Sequence, residues 1–296
     1  MVKPRLSDTE FAAMFRELGA EGMQRRMGGN LRALYDRRRN VEVKLGITLT
    51  PPHKPNNHPQ VTEHPGVIPV DVDDGIVLIG SDAHIWPGPP STAMRGFIKF
   101  CKELKPKVVI MNGDVTDFPR ISRHPPIGWT KTPSVQDEIE ACTEQLHEVA
   151  KAAGKARKLW PLGNHDARFE TKIATVAPEF AKVAGTRLSD HFPLWEGCWR
   201  VDVNDDVVVK HRHKGGIHAT HNSTMWAGKT TVTGHLHSLK VTPFTDYKGT
   251  RWGVDTGCLA DVGARAFLDY TEARPLNWRS GFVVLTFRSG KLMWPE

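Results

Sequence analysis

Aspartate, histidine and asparagine residues recur in this sequence directly after short apolar runs. The segments SDAH, GDVTD, GNHD and GHLH follow the runs GIVLIG, KVVIMN, RKLWPL and TTVT, and one more histidine follows VVVK. Because the carboxyl ends of parallel strands meet at one edge of a sheet, we expect these polar side chains to converge. Carboxylate, imidazole and amide groups are typical ligands of divalent metals. The sequence therefore predicts a metal site.

The residues of these segments that could bind a metal or a substrate share one feature, which is their position just beyond a predicted strand. They are Asp82, His84, Asp114, Asn164, His165, Asp166, His211, His235 and His237. Taken singly, each motif also fits an ordinary turn at the end of a strand. Their combination favours a metal site, because five such segments occur and each follows an apolar run.

The segments between these motifs alternate between strand and helix patterns from residue 73 onward. Short apolar runs predict buried strands, and the stretches STAMRGFIKFCKEL and SVQDEIEACTEQLHEVAKAAG have the spacing of amphipathic helices. This β-α-β-α-β order is typical of an α/β fold with a largely parallel sheet. After residue 197, strands with shorter connections predict a second, mostly antiparallel sheet.

Residues 1–47 have the pattern of a small helical head. The capping box SDTE begins a first helix, which Gly19 ends, and a second short helix fits residues 20–27. Asn30 can cap a third helix, LRALYDRRRNVEVKL.

Proline content separates this head from the rest of the chain. Residues 48–72 contain six prolines, which disfavour helices and central strands. We therefore predict a linker at 48–72 and a main domain at 73–296. A loop packed on the main domain is the alternative for the linker.

The positive charge of the chain is concentrated in the head. The net charge is +7 over 296 residues, and residues 1–47 contribute ten Lys and Arg against six Asp and Glu. This imbalance favours contact between the head and a polyanion. The four cysteines are widely spaced, and neither a signal peptide nor a membrane span is visible, so the expected location is the cytoplasm.

In the order of its motifs the sequence resembles the calcineurin-like metallophosphoesterases. The shared pattern is DxH, GDxxD, GNHD, a later histidine and GHxH, over roughly residues 74–290. The resemblance implies a four-layer α/β/β/α sandwich of two mixed sheets that holds two metal ions. One ion is expected on Asp82, His84 and His237, the other on Asn164, His211 and His235, with Asp114 bridging them.

One ligand position remains open in this comparison. Many members of the family have His-Gly where this chain has His211-Arg212-His213. His211 ends the apolar run and is the expected ligand, and His213 is the alternative, because a bulge in the strand would exchange the two.

The resemblance also implies a reaction. Two cations lower the pKa of a water and bind phosphate oxygens, and Mn²⁺ is the first expectation, with Zn²⁺, Fe or Ni²⁺ possible on the same ligands. His165 is expected to protonate the leaving group. Asp166 is expected to orient the ring of His165 or raise its pKa, and Asp117 is expected to support the site without binding metal.

Basic residues near these motifs could select the substrate. Arg120, Arg123 and Trp129, in the loop FPRISRHPPIGWTKTP, could contact a phosphodiester backbone and stack on a base. Arg168, just after GNHD, could contact a phosphate. The alternatives are an exposed loop for the first three and a surface salt bridge for Arg168.

The helical head resembles a helix-turn-helix module of the kind that phage-encoded proteins join to this type of domain. Its third helix carries Arg32, Arg37, Arg38 and Arg39, which could bind DNA phosphates and guanine edges. A helical cap on the main domain is the alternative.

These observations together predict a two-metal-dependent phosphodiesterase that acts on nucleic acid, with DNA as the first expectation and a nuclease activity as the result. One alternative is a phosphatase or small-molecule phosphodiesterase. The other is a DNA-binding phage protein in which the metal site is accessory.

Overall fold

The computed structural model describes residues 6–49, 65–125, 128, 131–263 and 277–296. The chain divides into two compact units, Met1–Thr62 and Glu63–Glu296. Trp129, a predicted substrate contact, lies outside the described residues. None of the helices in the described part of the chain has both the length and the apolar character of a membrane span.

The first unit contains helix α1, Asp8–Met27, and helix α2, Leu31–Leu45. The predicted capping box is present, because Ser7 Oγ accepts from Glu10 N and the Glu10 carboxylate accepts from Ser7 N. The backbone of α1 leaves helical geometry at Gly19, with φ of 63°. The predicted first and second helices are therefore one helix with a break at this glycine.

Helix α2 begins and ends where its capping residues predict. Asn30 accepts from Arg32 N at 2.9 Å, and Gly46 closes the helix in the left-handed conformation. Apolar side chains of the two helices form a small separate core, whose buried members include Phe11, Phe15, Met23, Val41 and Leu49.

Two of the four arginines expected on DNA hold the first unit together. Arg37 donates to the carbonyl of Leu6, and its guanidinium lies 4.7 Å from the centre of the Phe11 ring. Arg38 lies 5.7 Å from the centre of the Phe15 ring. The other two arginines, at positions 32 and 39, are exposed.

The described residues of the second unit form two six-stranded sheets. The first has the order β12-β11-β2-β3-β4-β5 and the second the order β1-β6-β7-β8-β10-β9. The strands of the first sheet are β2 Gly75–Gly80, β3 Val108–Met111, β4 Arg157–Pro161, β5 Glu196–Cys198, β11 Val283–Arg288 and β12 Lys291–Pro295. Those of the second are β1 Val67–Val70, β6 Arg200–Val203, β7 Val207–Val209, β8 Thr230–Thr233, β9 Lys240–Asp246 and β10 Gly249–Asp255.

Helices cover the outer faces of both sheets. Helices α3 Thr92–Leu104, α4 Val135–Ala153, α5 Arg168–Val176 and α6 Leu188–His191 contribute to one core with the first sheet. Helix α7, Ala219–Ala227, packs on β8, β9 and β10. A second core, rich in valine, lies between the two sheets. The predicted four-layer α/β/β/α sandwich of two mixed sheets is confirmed.

The prediction that the second sheet is mostly antiparallel was wrong. Three of its five strand pairs are parallel, namely β1 with β6, β7 with β8, and β8 with β10. Helix α7 crosses over between β7 and β8 and so permits parallel pairing, but its sequence, ATHNSTMWA, gives a weak helical signal. Strand β11, expected in the second sheet, pairs antiparallel with β2 in the first.

Strand β1 lies in the segment that the sequence assigns to the Pro-rich linker. It pairs with β6 at the edge of the second sheet, and Pro69 is one of its four residues. An edge position tolerates proline because one side of the strand needs no hydrogen-bond donor.

Candidate metal centre

The motifs that follow the strands converge into two clusters of metal-binding side chains. One consists of Asp82, His84 and His237, and the other of Asp114, His211 and His235; within each, one ligand atom of every residue lies within 4.8 Å of the others. These are the side chains that the resemblance assigns to two neighbouring ions. The structure brings His211 to this place, whereas His213 is exposed.

The two clusters are adjacent. Asp82 Oδ1 lies 3.0 Å from His237 Nε2 and 4.0 Å from His211 Nε2, so Asp82 faces ligands of both clusters. Asp114 Oδ2 lies 3.1 Å from the same nitrogen of His211. Both carboxylates are almost completely buried.

Buried polar atoms at this place fit a bound cation. Asn164 Oδ1 and His237 Nδ1 are buried and have no hydrogen-bond partner within the described residues. Leaving such an atom unsatisfied costs about 1–3 kcal/mol. Coordination by a metal would remove that cost, and oxygen and imidazole donors suit Mn²⁺, Fe or Zn²⁺. The donor set therefore fits the expected metal pair.

The backbone at the candidate ligands is held in an uncommon conformation. Five of them have positive φ: Asp82 52°, His84 41°, Asp114 47°, His235 72° and His237 56°. Residues other than glycine rarely adopt this region, and each such residue costs of order 1–3 kcal/mol. Strain of this kind concentrates at functional sites, which supports a functional role for these loops.

Two motif glycines are required by close approach between loops. A Cβ at Gly163 would collide with the Asp114 carboxylate, and a Cβ at Gly234 would collide with Asp82 and Ser81. The glycines of GNHD and GHLH therefore allow the loops that carry the candidate ligands to come together.

The charges of the two clusters are complementary. Burial alone would raise the pKa of Asp82, but His237 and His211 hold it below its usual value. His211 has the same effect on the pKa of Asp114. Burial alone would lower the pKa of His211, whereas Asp114 and Asp82 raise it to about 10. In the metal-free protein these interactions favour ionised carboxylates and a protonated His211 at neutral pH, so we expect metal binding at His211 to release a proton.

His165 lies beside the clusters and is bound to Asp117. Its Nδ1 lies 2.7 Å from Asp117 Oδ1, and its side chain is 20% exposed. Its Nε2 lies 3.1 Å from a guanidinium nitrogen of Arg168 and 3.9 Å from Asp114 Oδ2. Burial opposes protonation of the ring, but Asp117 and Asp114 raise the pKa of His165 above its usual value.

Asp117 forms hydrogen bonds with several side chains on this side of the site. Besides His165, it accepts from Trp86 Nε1 at 2.9 Å and lies 3.4 Å from His84 Nδ1. Arg168 donates to the Asp117 carbonyl at 2.7 Å. A third group with metal-binding spacing consists of His84, Asp117 and His165. The contacts of Asp117 with the two histidine rings explain why these three side chains lie close together without a metal.

The expectation that Asp166 orients His165 was wrong, because Asp117 does so. Asp166 faces away from that ring and is 1% exposed. Its carboxylate accepts six hydrogen bonds, from the backbone N–H groups of positions 114, 115, 116 and 163, the Thr116 hydroxyl and Trp160 Nε1. Asp166 therefore fastens the GDVTD loop to the GNHD loop.

Replacing Asp166 by alanine is expected to destabilise the fold. The substitution leaves several buried donors without an acceptor, and each costs about 1–3 kcal/mol. We expect the free energy of unfolding in urea to fall by roughly 3 kcal/mol or more. His165→Ala is the matched control and should change it little. Equal stability of the two variants would contradict this role for Asp166.

The predicted substrate-binding arginines fall into two groups. Arg168 is half-buried at the site, in contact with His165 and Asp117. Arg120 and Arg123 are exposed, and Arg120 donates to the Thr132 carbonyl at 3.2 Å. The structure thus brings Arg168, and not the other two, into contact with the candidate catalytic residues.

Sequence reasoning missed Glu138, which supports the site from helix α4. Its side chain is completely buried, and Oε1 accepts from Phe118 N at 2.8 Å and Asp117 N at 3.2 Å. Glu138 lies on the apolar face of its helix, between Val135 and Cys142. An acidic residue in an apolar stripe is the signal that could have identified it.

The ionisation of Glu138 should make stability depend on pH. Burial, together with the charge of Asp117, raises its pKa to about 8 from 4.5. As pH rises through this interval the unfolded chain loses the proton first, so the folded state loses about 1.4 kcal/mol for each unit. We expect the wild type, in EDTA, to lose stability between about pH 5 and pH 8 relative to Glu138→Gln. Parallel pH profiles for the two proteins would contradict this.

No family model matches the sequence, and no curated protein matches it. Solved structures with a similar fold include YfcE, a phosphoesterase from E. coli, which is 14% identical over 75% of this chain and 98% of its own, with a TM-score of 0.35. Zn-bound Vps29 from Entamoeba histolytica is 11% identical over 73% and 88%, with a TM-score of 0.39. An archaeal phosphodiesterase is 13% identical over 74% and 97%, with a TM-score of 0.36.

Proposed function

We propose that this chain is a two-metal-dependent phosphodiesterase whose substrate is nucleic acid, with DNA as the first candidate. The observation that carries this proposal is the pair of adjacent ligand clusters, flanked by His165 and Arg168, at the strand ends of one sandwich. Such a centre suits hydrolysis of a phosphate ester, because it combines cation sites with a candidate proton donor, His165, and a neighbouring cation, Arg168.

The residues that would hold the metals are those of the two clusters together with Asn164. Asp82, His84 and His237 would bind one ion, and Asn164, His211 and His235 the other, with Asp114 shared. When bound, such a pair acidifies a water and stabilises the charge that develops on phosphate oxygens. Mn²⁺ is our first proposal for the metal.

The side chains beside the metals would assist the departure of the leaving group. Asp117 accepts a hydrogen bond from His165 Nδ1, and this fixes the ring so that Nε2 faces the clusters. Arg168 can only donate a hydrogen bond, so His165 Nε2 accepts from it in this structure. Once a phosphate oxygen binds Arg168, Nε2 can take up a proton, which the hydrogen bond from Nδ1 to Asp117 favours, and donate it to the leaving oxygen. Arg168, within 3.1 Å of that nitrogen, can pair with a phosphate oxygen.

The proposal of DNA as substrate rests on charge. The first unit is strongly basic for its size, and Arg32 and Arg39 on its second helix are exposed. Arg120 and Arg123 add two exposed cations after the GDVTD motif. One observation favours the small-molecule alternative. Arg37 and Arg38 pack on aromatic rings within the first unit, so fewer of its arginines are available to bind DNA.

Deleting residues 1–62 is expected to weaken DNA binding and to leave phosphodiester hydrolysis intact. All candidate ligands lie in the second unit, so hydrolysis of bis(p-nitrophenyl) phosphate should persist with Mn²⁺. Duplex and single-stranded DNA binding should weaken several-fold, and the slope of log K against log salt should fall by about 0.9 for each lost phosphate contact. Binding titrations at several salt concentrations, beside a nuclease assay on the same DNA, measure both.

The outcomes separate the alternatives. If intact and truncated proteins bind DNA equally weakly and neither cuts it, while the nitrophenyl ester is hydrolysed, the small-molecule phosphoesterase replaces the nuclease. If the intact protein binds DNA tightly but does not cut it with any of the metals supplied, the DNA-binding protein with an accessory metal site replaces the nuclease.

A further inference from the structure

A tryptophan that the proposed chemistry does not use lies against the first ligand cluster. The centre of the Trp278 ring is 4.6 Å from the centre of the His237 ring, and the two ring planes are inclined at 57°. His237 is 6% exposed, whereas Trp278 is half-buried. The indole is thus in contact with a proposed metal ligand, while part of it reaches solvent.

Backbone hydrogen bonds fix the segment that carries this tryptophan beside the GHLH loop. Arg279 N donates to the His237 carbonyl at 2.7 Å, and the Arg279 carbonyl accepts from Cys258 N at 3.0 Å. Gly281 N donates to the Cys258 carbonyl, also at 3.0 Å. The segment is therefore bound both to the loop of a proposed ligand and to the chain that follows β10. A ring carried on a backbone fixed in this way loses little conformational freedom when it binds a flat partner.

The rings at the first cluster follow one another from His165 to Trp278. The centre of the His84 ring lies 4.8 Å from that of His165 and 5.4 Å from that of His237. Trp278 contacts His237 in turn. A phosphate bound at this cluster would therefore have the proposed proton donor beside one ligand and the indole beside another.

The spacing of these groups suits a nucleotide. The ring of His237 links the indole to the Asp82 carboxylate, since its Nε2 lies 3.0 Å from Asp82 Oδ1. In a nucleotide, one sugar ring likewise links the base to the phosphate. An indole can stack on any nucleobase, because every base has a π-face.

We propose that Trp278 stacks on a nucleobase next to the scissile phosphate. The inference rests on the proposed function and makes it narrower, because it gives the site a means of selecting nucleoside esters over phosphodiesters that carry no base. Trp278 acts on substrate binding in this account and takes no part in proton transfer.

The test compares the dinucleotide TpT with two analogues in which the 5′ or the 3′ nucleoside carries no base, using the full-length protein with Mn²⁺. The base preference is kcat/KM for TpT divided by kcat/KM for the slower analogue. In the wild type we expect a preference of about 5-fold to 150-fold, which is the stacking energy of about 1–3 kcal/mol per base converted to a ratio. In Trp278→Ala the preference should disappear, and Trp278→Phe, which keeps an aromatic face, should retain part of it.

A second tryptophan provides the matched control. Trp226 is 70% exposed on α7, and α7 leads into the start of β8, whereas GHLH follows the end of that strand. Trp226→Ala should therefore retain the wild-type preference. Because the preference is a ratio measured on one protein, a general loss of metal or activity cancels. High salt should leave it largely unchanged, since salt screens charges and not stacking.

Three results would overturn the inference. Equal kcat/KM for TpT and both analogues in the wild type would reject the base site and leave the proposed function standing. A preference retained in full by Trp278→Ala would reject this residue as its origin. Absence of TpT hydrolysis with Mn²⁺, Zn²⁺, Fe²⁺ or Ni²⁺ would reject the proposed function on nucleic acid, and this inference with it.

Discussion

Replacing Asp114 by alanine is expected to lower phosphodiester hydrolysis by about 10³-fold or more, because the metal pair supplies several kcal/mol of transition-state stabilisation. Asp114 is buried in the second cluster, with Oδ2 3.1 Å from His211 Nε2 and Oδ1 accepting from His165 N at 2.8 Å. The substitution removes the proposed shared ligand. It also removes the acceptor of the His165 backbone N–H in the GNHD loop. Steady-state kinetics with bis(p-nitrophenyl) phosphate and Mn²⁺ measure the effect.

Asp82→Ala is the matched control for this substitution. Asp82 Oδ1 lies 3.0 Å from His237 in its own cluster and 4.0 Å from His211 in the other. Because its closer partner is in its own cluster, loss of Asp82 should weaken mainly that cluster's metal ion. Elemental analysis of the two variants should show fewer ions in Asp114→Ala than in Asp82→Ala. Wild-type metal content in Asp114→Ala would refute the bridging position.

Replacing His165 by alanine is expected to slow hydrolysis selectively. With a poor leaving group, such as a deoxyribose alkoxide, the rate should fall by about 10²–10⁴-fold, the usual contribution of a general acid. With a nitrophenolate leaving group, which needs little protonation, the rate should change far less. The ratio of the two rates, measured on TpT and on bis(p-nitrophenyl) phosphate, gives the effect.

Metal content provides the control for His165→Ala, since its ring is not a proposed ligand and the content should remain at the wild-type value. Asp117→Asn offers a second variant, because it weakens the acceptor that fixes the His165 ring at 2.7 Å. Like His165→Ala, it should slow hydrolysis of TpT more than hydrolysis of bis(p-nitrophenyl) phosphate, but by a smaller factor. Equal losses on both substrates in His165→Ala would show that this histidine has another role.

Local chemistry in the sequence predicted the starts of three helices. Ser7, Asn30 and Ser134 cap helices in the structure as their side chains and spacing indicate. The motif residues that follow β2, β3 and β4 converge because these strands are parallel and bring their carboxyl ends to one edge of the first sheet, as the βαβ order predicts.

Features that depend on distant pairing could not be derived in the same way. Strand β11 joins the first sheet beside β2, although more than 200 residues separate them, and no local pattern specifies that partner. The hydrogen bond from His165 to Asp117 also depends on side-chain directions. The adjacent Asp166 was the nearer acid in sequence, but six donors from neighbouring loops bind its carboxylate.

Calorimetric titration of the metal-free, full-length protein with Mn²⁺ tests the two-metal centre most directly. The ligand clusters predict binding of two ions per chain, with proton release that reflects the raised pKa of His211. Hydrolysis of bis(p-nitrophenyl) phosphate should appear as the second site fills. Binding of no ion, or of one ion with no hydrolysis under saturation by Mn²⁺, Zn²⁺, Fe²⁺ or Ni²⁺, would contradict the proposed two-metal phosphodiesterase.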